Sequence, residues 1–197
     1  MAYKNVPNPE DELECSDRPS WRAWLSVNHE TCDSIWLIFH KKNSPTTSID
    51  YESAVLEALC FGWIDSKVQR IDDHRYRQYF SKRKPTGNWN AVNKARVAQL
   101  RSEGLMTDAG EAAIATAKEN GAWEFLVDVE AMVVPDDLSA ALSVHANARE
   151  NFDAFSNTKK QGVLFWIKQA KRAATRADRI AKTARAAANN ETPMNYL

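Results

Sequence analysis

The chain has 197 residues, 44% of them hydrophobic and 26% charged, with no net charge. That suits one ordinary domain or two small ones with a real core, and no apolar run approaches the roughly 20 residues of a membrane helix, so membrane insertion is not expected. Cys15, Cys32 and Cys60 are too few and too unevenly spaced for a disulfide framework or a zinc cluster, and the polar, acidic start lacks the apolar middle of a secretory signal, so free thiols in a cytoplasmic protein are expected.

Residues 1–14 read as a flexible tail. Asp17-Arg-Pro19 ahead of Ser20-Trp-Arg-Ala-Trp-Leu25 reads as a capped helix start, with Trp21, Trp24 and Leu25 on one inward stripe. Ile35 to Phe39 is a buried strand, followed by a polar loop containing Pro45. Ser48 to Glu52 opens a helix whose stripe is Tyr51, Val55 and Leu59, and Gly62 ends it. Trp63 to Val68 and Arg75 to Ser81 are strands joined by a turn at Asp72-Asp-His74. In the second, Tyr76, Gln78 and Phe80 share one face, and Arg75, Arg77, Tyr79 and Ser81 the other.

After Pro85-Thr-Gly87, the residues Trp89, Val92, Arg96, Val97 and Leu100 trace a helix capped near Asn88 and stopped at Gly104. Another helix opens at Thr107. Pro135-Asp-Asp-Leu138 starts a short helix, and His145 to Phe155 forms a second. Ser156 caps a third, with Val163, Trp166, Ile167 and Ala170 inward. The last begins near Thr175 with the capping box Thr175-Arg-Ala-Asp178, and the chain frays from Asn189. The fold class is therefore α+β: a small mixed sheet packed with helices over residues 15–125, then a helical bundle over 135–188.

Charge is strongly segregated. Residues 1–66 sum to −6, 67–101 to +8, 102–155 to −9 and 156–197 to +7. Either the blocks neutralise each other internally, or the basic blocks face an anionic partner.

The quoted residues carry a resemblance. Trp21-Arg-Ala-Trp-Leu25, Lys41-Lys42, Ala58-Leu-Cys-Phe-Gly-Trp-Ile-Asp65, Arg83-Lys84-Pro85, Trp89 with Asn93 and Arg96, and Gly104-Leu-Met106 are similar to motifs of the YdeI/OmpD-associated, or bacteriocin-protection, family. Trp166-Ile167, Ala170-Lys-Arg172, Thr175-Arg176 and Arg179-Ile180 extend the likeness, though Ala173 stands where that family usually has proline. The resemblance implies a cytoplasmic bacterial protein linked to stress response, as tolerance of envelope stress or bacteriocins. It implies no catalytic mechanism and no cofactor.

Three functional readings follow. In the first, Arg77, Arg83, Lys84 and Arg96 supply charge, Trp89 a wall and Asp65 orientation, with Asn93 among the ligand-binding residues, in a cleft for an anionic small molecule or an acidic protein segment. The opposing structural reading has the same arginines paired with the chain's own carboxylates, and Asp65 in an ion pair with Arg77 or Arg83 that sets strand register. The second reading makes the basic residues and the last helix a nucleic-acid surface, which interleaved aromatics would suit. The third makes Asp65 or Cys60 catalytic, although Cys60 sits late in an apolar helix with no histidine near in sequence. His29, His40, His74 and His145 are dispersed, without the spacing of a metal site. The ligand and the oligomeric state are not encoded in any of these patterns.

Overall fold

The computed structural model describes residues 11–193 and divides the chain into two units, Met1–Glu124 and Phe125–Leu197. In the first unit, β1 (Glu12–Glu14) leads into α1 (Arg18–Asn28) and β2 (Ser34–His40), then α2 (Tyr51–Cys60) and the hairpin of β3 (Trp63–Arg70) with β4 (Arg75–Lys82). Two helices follow, α3 (Ala91–Ser102) and α4 (Asp108–Glu119). The sheet order is β1-β2-β4-β3, with β1 parallel to β2 and the other pairs antiparallel. The architecture is α+β, with a mixed sheet.

Most of residues 1–14, expected as a tail, lie outside the described residues. Within the described part, Glu12–Glu14 is a strand, because Trp36, Leu37 and Ile38 of β2 leave a ladder edge for it to fill.

Local chemistry accounts for the helix starts. Asp17 accepts the amide hydrogen of Ser20, and the Ser20 hydroxyl is aligned to answer the Asp17 amide, which closes a capping box with proline in the first turn. Asp50 caps α2 through Ser53, and Thr107 caps α4 through Gly110. Gly62 ends α2 at φ +71, a left-handed conformation that glycine adopts without penalty.

Strand alternation then sorts the faces. Ile35, Leu37 and Phe39 of β2 sit opposite Phe80, Gln78 and Tyr76 of β4 and face the helices. Trp21, Leu25, Val55, Leu59, Trp63, Trp89, Val97, Leu100 and Ile114 complete that core, and each large apolar side chain so buried contributes roughly 1.5–3 kcal/mol.

Two expectations at helix starts are corrected. The α3 cap is Asn90, whose side chain accepts from the Asn93 amide, so Trp89 precedes the helix. The buried positions are Asn93, Val97 and Leu100, while Val92 is 57% exposed. Tyr51 does not join the inward stripe of α2. It is 40% exposed, because its hydroxyl reaches a carboxylate on β3.

The second unit is helical: α5 (Val127–Glu130), α6 (Asp136–Ser143), α7 (Ala148–Ala154), α8 (Asn157–Lys168) and α9 (Ala173–Ala188). Its core includes Val129, Leu138, Leu142, Phe152, Val163, Ile167, Ile180 and Ala184. The helix α9 begins at Ala173 rather than at Thr175, and Asp178 pairs with Lys182 instead of closing a box with Thr175. Residues 194–197, at the end of the expected frayed segment, lie outside the described residues.

Candidate functional site

The site grows from a close contact between α2 and α4. Gly110 lies so near the end of α2 that a Cβ there would sit 2.3 Å from the Cys60 carbonyl oxygen. The Thr107 hydroxyl bonds that same carbonyl at 2.6 Å. Such an approach is open only to glycine, and it sets α4 beside the segment that leaves β4. The Arg83 amide donates to Gly62 O at 2.9 Å, and Asn120 Nδ2 donates to Pro85 O at 2.8 Å. A turn closed by Gly87 N to Lys84 O completes the loop.

Arg83 is the focus. Its Cζ lies 3.5 Å from the centroid of the Trp89 ring, and Nη2 donates to Asn88 O at 2.8 Å. Its Nε and Nη1 are buried and have no hydrogen-bond partner. Burial pushes the guanidinium down to about 10, against the opposing pull of Asp65. Trp89, 1% exposed, is held in place by Trp123 at 5.0 Å between ring centroids. Arg83, Lys84, Pro85 and Trp89 face Ala112, Ala113 and Thr116 of α4 across a cavity of about 200 Å³.

Beside this lies a polar cluster on the helix-facing side of the sheet. Asp65 Oδ2 accepts from the Tyr51 hydroxyl at 2.8 Å and from Gln78 Nε2 at 3.0 Å. Burial, and then Asp65, push the Tyr51 phenol up to about 12. Arg96 forks onto Glu52 and donates from Nη1 to Asn93 Oδ1 at 3.0 Å. The structure thus places Asp65, Arg83, Lys84, Trp89, Asn93 and Arg96 on elements that flank one side of the sheet.

Arg77 is the exception, and its expected place in the cleft is corrected. As an odd-numbered residue of β4 it points away from the helices, where it bonds Glu12 and Gln69 and lies 4.6 Å from the Trp36 ring centroid. Nor does Arg77 partner Asp65, whose hydrogen bonds come from Tyr51 and Gln78. Sequence reasoning missed Tyr51, Glu52, Gln78 and the α4 wall. Only the helical spacing of Tyr51 and Glu52 ahead of an apolar stripe, with a lone glutamine in a core-facing strand position, hinted at the first three.

Part of the segregated charge is paired inside each unit. In the first, Arg18 and Arg22 both reach the buried Glu57 at 2.6 Å, Lys82 reaches Asp33 at 3.1 Å, and Arg96 holds Glu52. In the second, Lys168 pairs with Asp128 and Arg176 with Asp137, each at 2.7 Å, so the basic end of the chain meets its acidic block. Arg83 stands apart: among the described residues it is the guanidinium with two buried nitrogens lacking a partner.

Cys60 is fully buried, and burial followed by the Glu57 charge pushes its thiol up, the opposite of what a nucleophile needs. Among the described residues no three His, Cys, Asp or Glu side chains converge to hold a metal ion, and no helix is long and apolar enough to cross a membrane.

Residues 13–113 match the family model described as Domain of unknown function (DUF8412), and residues 131–190 match the one described as Bacteriocin-protection, YdeI or OmpD-Associated. Comparison with curated proteins and with solved structures gave no match.

Proposed function

We propose, from the premise that this chain belongs to the YdeI or OmpD-associated bacteriocin-protection family and carries a domain of unknown function over residues 13–113, that its first unit is a binding module for an anionic group. The observation that carries this reading is the pair of buried, unpaired N–H-bearing nitrogens on Arg83 beside a cavity. A buried charged donor without an acceptor costs more than a lost neutral hydrogen bond. An incoming anion recovers that cost, and the stacked Trp89 keeps the guanidinium ready for it. Asp65, held by Tyr51 and Gln78, favours the charged form of Arg83 through space. We place this binding in tolerance of bacteriocins or related envelope stress on the strength of the family description.

The nucleic-acid reading is weakened because Arg77, Lys168 and Arg176, on which it drew, are held by Glu12, Asp128 and Asp137. The catalytic reading is weakened by the raised Cys60 thiol and by the hydrogen bonds that already occupy Asp65.

The test follows the Arg83 Nε–H signal in nitrogen–proton spectra, assigned by its loss in Arg83→Met. Sulfate, phosphate and acetate are titrated at constant ionic strength against chloride. At least one of them should shift this signal saturably, and a signal that none of the three moves would remove the reading.

A further inference from the structure

Arg176 of α9 separates two hollows on the surface of the second unit. On one side a pocket of about 140 Å³ is walled by Val129, Val133, Pro135, Leu164 and Ile167. On the other a trough of about 460 Å³ lies between α6 and α9, over Ala141, Ala173, Ala177, Ile180 and Ala181. Their surroundings are apolar yet open: Val133 is 55% exposed, and Val144, one turn beyond Ala141 at the end of α6, is 78% exposed. Apolar surface gathered in adjoining hollows and rimmed by charge marks an interaction site. The charge is positive on balance. Arg176 grips Asp137 through Nε at 2.7 Å and Nη2 at 2.9 Å, while its Nη1 is not buried and has no hydrogen-bond partner among the described residues. A guanidinium held by its Nε side keeps its far edge, Nη1 with the second hydrogen of Nη2, for another carboxylate. Lys168 pairs with Asp128, but Lys171 and Arg172, at the junction of α8 and α9, are exposed and form no ion pair among the described residues. Asp136, at the start of α6, offsets one of them. Such a rim favours an acidic partner.

The shape favours a helix. Ala173, Ala177 and Ala181 follow at four-residue spacing along α9 and span about 12 Å at 1.5 Å per residue, two turns of a helix laid beside them. Their small side chains let a third helix approach two packed ones closely. An extended segment would find no strand to pair with, because the described elements of this unit are all helices, whereas a helix satisfies its own backbone. We infer that this face docks an acidic amphipathic helix of a partner protein, with a carboxylate on the free edge of Arg176, one apolar side chain in the trough and another in the pocket beyond. On the partner such a face reads apolar, acidic, apolar at steps of three or four residues. The surface belongs wholly to the second unit and owes nothing to Arg83.

The full chain is panned against displayed helical peptides randomised along one face, and enriched sequences are remade as capped, labelled peptides for fluorescence anisotropy. They should carry an acidic residue flanked on each side, three or four positions away, by apolar ones. Changing that acid to its amide should weaken binding at least about tenfold, the effect of one charge-assisted hydrogen bond. Arg176→Gln also releases Asp137, so the readout there is the acid-to-amide difference within the variant, which should shrink. Ala177→Leu, at an exposed position in the trough, should weaken binding about tenfold with the circular dichroism unchanged. Enriched peptides that lack the acid, or that bind Ala177→Leu as tightly as the wild type, overturn the proposal, and so does failure to enrich any peptide. A concentration-dependent dimer that Ala177→Leu disperses would show a second copy in the trough and would overturn the choice of partner.

Discussion

Replacing Arg83 by methionine separates a binding arginine from a structural one. Methionine keeps the unbranched stem against Trp89 and removes the charge. With the folded guanidinium pushed by burial from its ordinary value down to about 10, its charging costs on the order of 3 kcal/mol at neutral pH, before any solvent screening. The sign follows from linkage: a basic group lowered by folding destabilises the fold wherever the unfolded chain holds the proton, so the cost is fully present below pH 10 and fades as pH rises through the unfolded value. Against it stand the stacking on Trp89, about 2 kcal/mol for a desolvated cation, and the bond to Asn88 O, about 1.5–3 kcal/mol for a charged donor. The opposing contributions nearly cancel, so Arg83→Met should change stability by less than about 1.5 kcal/mol.

Arg22→Met is the control. It strips one of two cations from Glu57, which is 2% exposed, and should cost about 3 kcal/mol. Chemical denaturation followed by tryptophan fluorescence suits the comparison, because six of the seven tryptophans lie in the first unit. If Arg83→Met destabilises as much as Arg22→Met, Arg83 is a fastener and the binding argument fails.

Other consequences are checked as directly. The Tyr51 phenol, raised to about 12, contributes stability that is complete below pH 10 and lost as pH rises toward 12; ultraviolet titration should show a late tyrosine that disappears in Tyr51→Phe and moves toward 10 in Asp65→Asn. Gly110→Ala should lower stability by about 3 kcal/mol, since its Cβ would collide with the Cys60 carbonyl at 2.3 Å, and a melting temperature unchanged from wild type would show that α4 can shift away. In the native protein a disulfide reagent should modify Cys32 first, because burial shields and raises the Cys15 and Cys60 thiols; rapid reaction at Cys60 would reopen the catalytic reading.

Legibility followed the range of the interaction. The Asp17 cap and the Gly62 stop involve neighbours in the chain, and their residue types announce them. The faces of β4 followed from alternation, so Phe80 and Gln78 were readable as inward and Arg77 as outward. What misled was placing Arg77 in the cleft by residue type against its own face assignment. Asn88 and Asn90 offer the same capping chemistry on either side of Trp89, and no local signal separates them. The stacking of Arg83 on Trp89 goes with the choice of Asn90. Tyr51 carries the spacing of a core residue, but Asp65, fourteen positions later, draws its hydroxyl outward.

Composition and periodicity alone determined the helices, the hairpin and the mixture of α and β, because each rests on contacts a few residues apart or on repeated spacing. Tertiary structure alone decided which charges are satisfied. That Glu52 claims Arg96, while among the described residues no carboxylate pairs with Arg83, depends on where the other side chains of the unit come to lie. Coulomb energy depends on distance and burial, and neither is written in the order of the residues.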